Sequence, residues 1–192
     1  MKQRLELVPV EEARRLGAEM GIGEAQASRS AFRMLAHHPE LARHVFGLLK
    51  QLATRNKLPS RLRELMIMRI GWTTGSDYEW FQHYRIAKAE AGVTDAELVA
   101  LRDWRSSDLF SDADRAVLAA VDDTREHGSL SDATWAQCQK LFNEPAVLVE
   151  MVVMIGNWML FSQLLKTLGV PIEEGATPWP PDGKAPAAAA GT

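Results

Sequence analysis

A chain of 192 residues, 46% hydrophobic and 24% charged, has the length and make-up of one globular domain with a sizeable core. A formal charge of -3, with Lys and Arg scattered rather than clustered, argues against a nucleic-acid partner. One cysteine, Cys138, excludes an intrachain disulfide and any intrachain dithiol chemistry.

The pattern along the chain is helical. Two weak helices are expected around Val10–Met20 and Ser28–Ala36. Pro39 then opens a helix over Glu40–Arg55, where proline costs little because its missing N–H would be unpaired anyway. His38 stands where it can cap that helix, and His37, His44 and His127 read as surface residues. The next helix runs from Ser60, an expected N-cap, to Trp72, and Thr73-Thr74-Gly75 breaks it. A third runs from Ser76 to Ala91 and ends at Gly92. Thr94-Asp95-Ala96-Glu97 is a capping-box pattern opening a short helix. Ser111 and Ser131 cap two more, Asp112–Glu126 and Asp132–Phe142. Pro145 opens a long apolar helix that stops at Gly169-Val170-Pro171. Its apolar run, Ala146–Leu165, is interrupted by Glu150, Asn157 and Gln163, so it reads as a core helix rather than a membrane span. Asn157 there needs a buried hydrogen-bond partner. No window alternates with period two, which gives an all-α fold. The expected organisation is one helical domain over 1–174 and an extended or disordered tail over 175–192, rich in proline and alanine. Trp179 is the residue able to anchor that tail. With no secretory leader in Met1–Val10, the expected location is cytoplasmic, with no membrane partner.

Chemistry concentrates between Leu62 and Gly92. Ser76, Glu79 and His83 fall at i, i+3 and i+7, one face of one helix. A short break folds the preceding helix back and gives Glu64 a route to them. A carboxylate beside an imidazole orients the ring and tunes its protonation, a usable acid/base pair. A Glu-x-x-x-His step alone is more often a solvated pair. Trp72, Tyr78, Trp80 and Phe81 add the apolar walls a small-molecule pocket requires, although Phe81 is read as plain core.

The stretch Glu64 to His83 resembles the AhpD-like signature Glu-x11-Cys-x2-Cys-x3-His, with Ser76 and Glu79 on the two cysteine positions. Further segments carry the same resemblance to the carboxymuconolactone decarboxylase family: His37–Leu41, Gly92–Leu98, Ser131–Trp135 and Met159–Val170. It covers about Ala31 to Pro171. The family's hydroperoxide reductase chemistry needs one thiol to attack and one to resolve. Neither is present, and Cys138 reads as buried packing. The resemblance therefore implies a cofactor-independent lyase, isomerase or hydrolase acting on a small oxygenated acid or lactone. His83 would be the acid/base, Glu64 or Glu79 would set its protonation, and Ser76 completes the expected catalytic set. Tyr78, Trp72, Arg69, Trp80, Asn157 and Trp158 are expected at the substrate, with Arg69 or Arg85 binding a carboxylate. No cofactor motif is visible, and no metal is expected. The alternatives are a metal enzyme using Glu64, Glu79 and His83, an alkylhydroperoxidase-type relative without the dithiol, or a non-catalytic binding or assembly module. The resemblance also implies a homo-oligomer: dimer, trimer or hexamer.

Overall fold

The computed structural model describes residues 2–187, and none of these residues lies in a strand. In chain order the helices are α1 (Val10–Glu19), α2 (Glu24–Ala27), α3 (Ser30–Leu35), α4 (Pro39–Thr54), α5 (Ser60–Thr74), α6 (Asp77–Ala89) and α7 (Asp95–Ala100). A 3₁₀ helix (Leu101–Ser106) precedes α8 (Asp112–His127), α9 (Asp132–Leu141) and α10 (Pro145–Leu168). Of these, α2 and the 3₁₀ helix carry no periodic signal strong enough to read from the sequence. Contacts divide the chain into two compact units, 1–56 with 163–176, and 57–162 with 177–192.

In the first unit, Phe32 on α3 and Phe46 on α4 meet with ring centroids 4.9 Å apart. Arg33 Nε donates to the Val8 carbonyl at 2.7 Å, and Arg4 N–H donates to the Leu168 carbonyl at 3.0 Å. His38 caps α4 by accepting the Leu41 N–H at its Nδ1, 3.3 Å away.

The second unit is built around α5, which packs against α6 on one side and α8 on another. Leu65, Met66, Ile67, Met68 and Ile70 are all 0% exposed. Apolar side chains buried at nearly every position of this stretch place the helix inside, and each gains about 1.5–3 kcal/mol by leaving water. The N-cap of α5 is Pro59, one residue before the expected Ser60, and it makes no side-chain cap. Glu150 of α10 instead accepts the N–H groups of Lys57 and Leu58 at 2.8–2.9 Å, ordering the segment that leads into α5. The helix continues through Thr74 and stops at Gly75, whose φ of 71° suits the left-handed turn that glycine adopts without strain. Gly71 lets the helix pair close: a Cβ there would lie 3.3 Å from the Trp80 amide nitrogen. The Thr94–Glu97 capping box forms as expected, and Ser111 and Ser131 cap α8 and α9.

Within the second unit, α10 buries Met151, Met154, Ile155 and Trp158 and leaves Val149, Val152, Val153 and Leu160 exposed. Part of the C-terminal tail, 178–182, forms bends and turns and is pinned. Trp179 is 6% exposed and packs on Trp72 and Trp80, with centroids 5.8 and 5.9 Å away. Trp80 Nε1–H donates to the Pro180 carbonyl at 2.6 Å, and Asp182 accepts two bonds from Arg102 at 2.8 Å. The rest of the tail, 188–192, lies outside the described residues.

Candidate functional site

Three buried residues, Arg63, Glu64 and Trp158, and the partly buried His83 form the first hydrogen-bond chain, drawn from α5, α6 and α10. Arg63 Nε donates to Glu64 Oε1 at 2.9 Å, and Glu64 Oε2 meets His83 Nδ1 at 2.8 Å. His83 Nε2 lies 3.2 Å from Trp158 Nε1. An indole nitrogen can only donate, so His83 Nε2 accepts and its proton resides on Nδ1, directed at Glu64. Glu64 is 1% exposed. Burial pushes its carboxyl up, but His83 and Arg63 outweigh this and hold it below the ordinary carboxylate range.

A second chain lies one turn back along α6. Ser162 Oγ donates to Glu79 Oε2, and Thr74 Oγ1 lies 3.1 Å from Ser162 Oγ. Glu79 is 3% exposed, and burial pushes its carboxyl up to about 8 despite the Ser162 bond. At neutral pH Glu79 is therefore chiefly a neutral acid. The two chains form a ladder, in which Glu79 and His83 on α6 meet Ser162 and Trp158 on α10. Both pairs are spaced i, i+4 and run in opposite directions.

The structure thus brings together Glu64, His83 and Trp158, and separately Glu79 with Ser162. Glu79 makes no hydrogen bond to His83 in this arrangement; Glu64 holds the ring. His83 carries no proton at Nε2 in this tautomer, so of the expected acid/base pair of roles it stands ready as the base. Ser76 is 0% exposed at the N-cap of α6, Tyr78 is 4% exposed just inside that helix, and Asn157 is 7% exposed on α10.

Arg69 is placed elsewhere. Its guanidinium pairs with Asp122 at 2.7 and 3.1 Å and donates to the carbonyls of Leu101 and Arg102. Four bonds leave it no free edge for a substrate carboxylate. Trp72 and Trp80 also turn away, toward Trp179, and the Arg102 guanidinium lies 4.6 Å from the Trp72 ring centroid. Arg69 and Trp72 line a separate open cavity of about 220 Å³ with Thr73, Arg102, Arg125 and Pro186. Arg85 stands exposed on α6. Cys138 is fully buried on α9, where burial pushes its thiol up to about 11 and its Sγ lies 3.8 Å from the Ala116 carbonyl. Among the described residues no trio of His, Cys, Asp or Glu is grouped to hold a metal ion.

Sequence reasoning missed Arg63 and Ser162. Arg63 adjoins Glu64 in the chain, and adjacent helical residues do not ordinarily face each other. Ser162 carried the same signal as Asn157, a polar residue inside an apolar helix.

The carboxymuconolactone decarboxylase family model matches residues 39–123, which contain α5, α6, Glu64 and His83. No curated protein matches the chain significantly. Solved structures resemble it at low identity. An uncharacterized peroxidase-related protein with an alkylhydroperoxidase AhpD core, from Ralstonia eutropha, is 14% identical with a TM-score of 0.71, over 90% of this chain and 93% of that one. An uncharacterized peroxidase-related protein from a Silicibacter species is 12% identical with a TM-score of 0.72, over 91% and 93%. A variant of the debrominase Bmp8 in complex with 2,3,4-tribromopyrrole is 18% identical with a TM-score of 0.68, over 91% and 94%. At these identities the likeness establishes the fold, which is AhpD-like.

Proposed function

Starting from a chain whose residues 39–123 match the carboxymuconolactone decarboxylase family model on an AhpD-like fold, we propose that it is a cofactor-independent lyase or isomerase acting on a small oxygenated acid or lactone. The observation that carries this reading is the Glu64–His83–Trp158 chain, an oriented imidazole in a sheltered setting. Such a base transfers protons at carbon when the neighbouring carbonyl can accept the electron pair. In a decarboxylation the bond from carbon to the carboxylate breaks, carbon dioxide leaves, and the electron pair moves into the lactone carbonyl as an enolate. His83, having taken up a proton at Nε2 from solvent or from the substrate acid, returns it to carbon and is neutral again. In an isomerisation the same nitrogen removes the proton from one carbon and returns it to another. Both routes require Trp158 to release Nε2. Glu64 keeps Nδ1–H in place and stabilises the imidazolium while it lasts.

A dithiol peroxidase is excluded on chemistry: Ser76 and Glu79 occupy the two positions where the resemblance places thiols, and neither cycles through a sulfenic acid. The test is turnover of a panel of lactone carboxylic acids, including a 4-carboxymuconolactone-type acid. His83→Ala is expected to abolish turnover while circular dichroism shows an intact helical fold. Unchanged turnover in that variant removes the proposal.

A further inference from the structure

Three buried polar atoms have no hydrogen-bond partner among the described residues and belong to the site elements: Ser76 Oγ, Glu79 Oε1 and Asn157 Nδ2. Their residues are 0, 3 and 7% exposed. A buried polar group left unpaired costs about 1–3 kcal/mol, so such groups need a reason.

Each of the three can donate. Ser76 has its hydroxyl proton, and Asn157 Nδ2 is a pure donor. In Glu79, Ser162 donates to Oε2, which leaves Oε1 as the place for the acid proton. That proton is present at neutral pH because burial pushes the carboxyl up to about 8. Ser76 occupies the N-cap of α6 yet makes no side-chain cap bond, so its hydroxyl is not used on the helix's own N–H groups. Glu79 lies one turn along the same face. The positive pole of the α6 dipole is at this end, and α6 is 13 residues long. Asn157 immediately precedes Trp158, whose indole meets His83, and so belongs to the other end of the ladder from Ser76.

We infer that Ser76 Oγ and Glu79 Oε1 form an oxyanion-binding cradle at the first turn of α6, suited to the enolate or carboxylate oxygen of a small lactone acid. The choice of lactone acid rests on the lyase or isomerase reading above. A neutral carboxylic acid in an apolar setting donates to a developing enolate oxygen, where an ionised one would repel it. The two donors occupy the positions of the cysteine pair this chain lacks, so oxygen donors replace a redox couple. The cradle and His83 then divide the work. The cradle holds negative charge, while the imidazole moves the proton.

The test uses tetronate, the stable enolate of a five-membered lactone, and γ-butyrolactone as its neutral counterpart, each titrated against the full chain near pH 7. Wild type is expected to bind tetronate at least tenfold more tightly than γ-butyrolactone. Ser76→Ala and Glu79→Leu should each weaken tetronate by about tenfold, the value of one charge-assisted hydrogen bond, and leave γ-butyrolactone unchanged. Circular dichroism of each variant verifies folding, and if Glu79→Leu does not fold, Ser76→Ala decides. Equal affinity for the two probes, no binding of tetronate at millimolar concentration, or folded variants that bind tetronate as wild type does would overturn the inference. Tetronate binding that depends on Ser76 and Glu79, in a protein that turns over none of the lactone acids, would keep the cradle and dismiss the lyase reading.

Discussion

Trp158 donates its indole N–H to His83 Nε2 across 3.2 Å, and this single bond decides which nitrogen of the imidazole holds the proton. The ring planes stand at 78°, edge to face, so packing and hydrogen bonding act together. The indole holds the base in one tautomer and at the same time covers its lone pair.

Replacing Trp158 by Phe keeps most of the packing and removes the donor. In wild type, long-range ¹⁵N spectra of His83 should show a protonated Nδ1 and an unprotonated Nε2. In Trp158→Phe the two tautomers should mix, at a stability cost of about 1 kcal/mol. A wild-type spectrum with the proton on Nε2 would contradict the geometry.

Glu79 predicts an uncommon pH dependence. Its folded value is raised from an ordinary 4.5 to about 8, so between those limits the folded chain binds more protons than the unfolded one. Its contribution to stability is fully present below about 4.5 and is lost as the pH rises through 8. Urea unfolding should therefore show stability falling over that window. Glu79→Gln should flatten the fall, which in wild type amounts to on the order of 5 kcal/mol between acid and pH above 8. Equal slopes in the two proteins would show that the carboxyl is not held neutral.

Glu64 has the opposite sign. Its value is lowered in the fold, so its contribution is present above the ordinary 4.5 and is lost as the pH falls below it. Glu64→Gln leaves the buried Arg63 guanidinium without a charge partner and should cost about 3 kcal/mol at pH 7. The loss should be smallest in acid, where the wild-type carboxylate is itself protonated. A cost that stays constant from pH 7 down to pH 3 would refute the ion-pair account.

The tail depends on Trp179, which is held at a φ of 57°, a region where side chains are uncommon. Trp179→Ala removes a buried ring and should cost about 3 kcal/mol, with faster proteolysis after residue 176. Trp179→Gly loses the same ring but relieves the backbone, so it should be no less stable than the alanine variant. Glycine clearly below alanine in denaturant midpoint would argue against backbone strain at this position.

Much of the scaffold was legible from residue order because its signals are local. The Thr94–Glu97 box, the Ser111 and Ser131 caps, the stop at Gly75 and the shared face of Ser76, Glu79 and His83 all involve partners within about a turn or two of helix, where geometry is set by the backbone repeat. The loss of a thiol pair could also be read directly. What lay beyond reach was the choice among distant partners. Arg69 was expected at a substrate and is instead taken by Asp122, 53 residues away. Either Glu64 or Glu79 was expected to serve His83; Glu64 does so, and Glu79 is bound instead to Ser162, 83 residues away. Trp158 lies 75 residues from the imidazole it caps, and Trp179 draws Trp72 and Trp80 into a cluster that no spacing announces. A helix repeat states which side chains share a face; only the packing of α5, α6 and α10 states what each face meets. The partners each carboxyl meets then assign the charges: His83 and Arg63 keep buried Glu64 a carboxylate, while burial without a cationic partner makes Glu79 a neutral acid, although both are glutamates in the same segment.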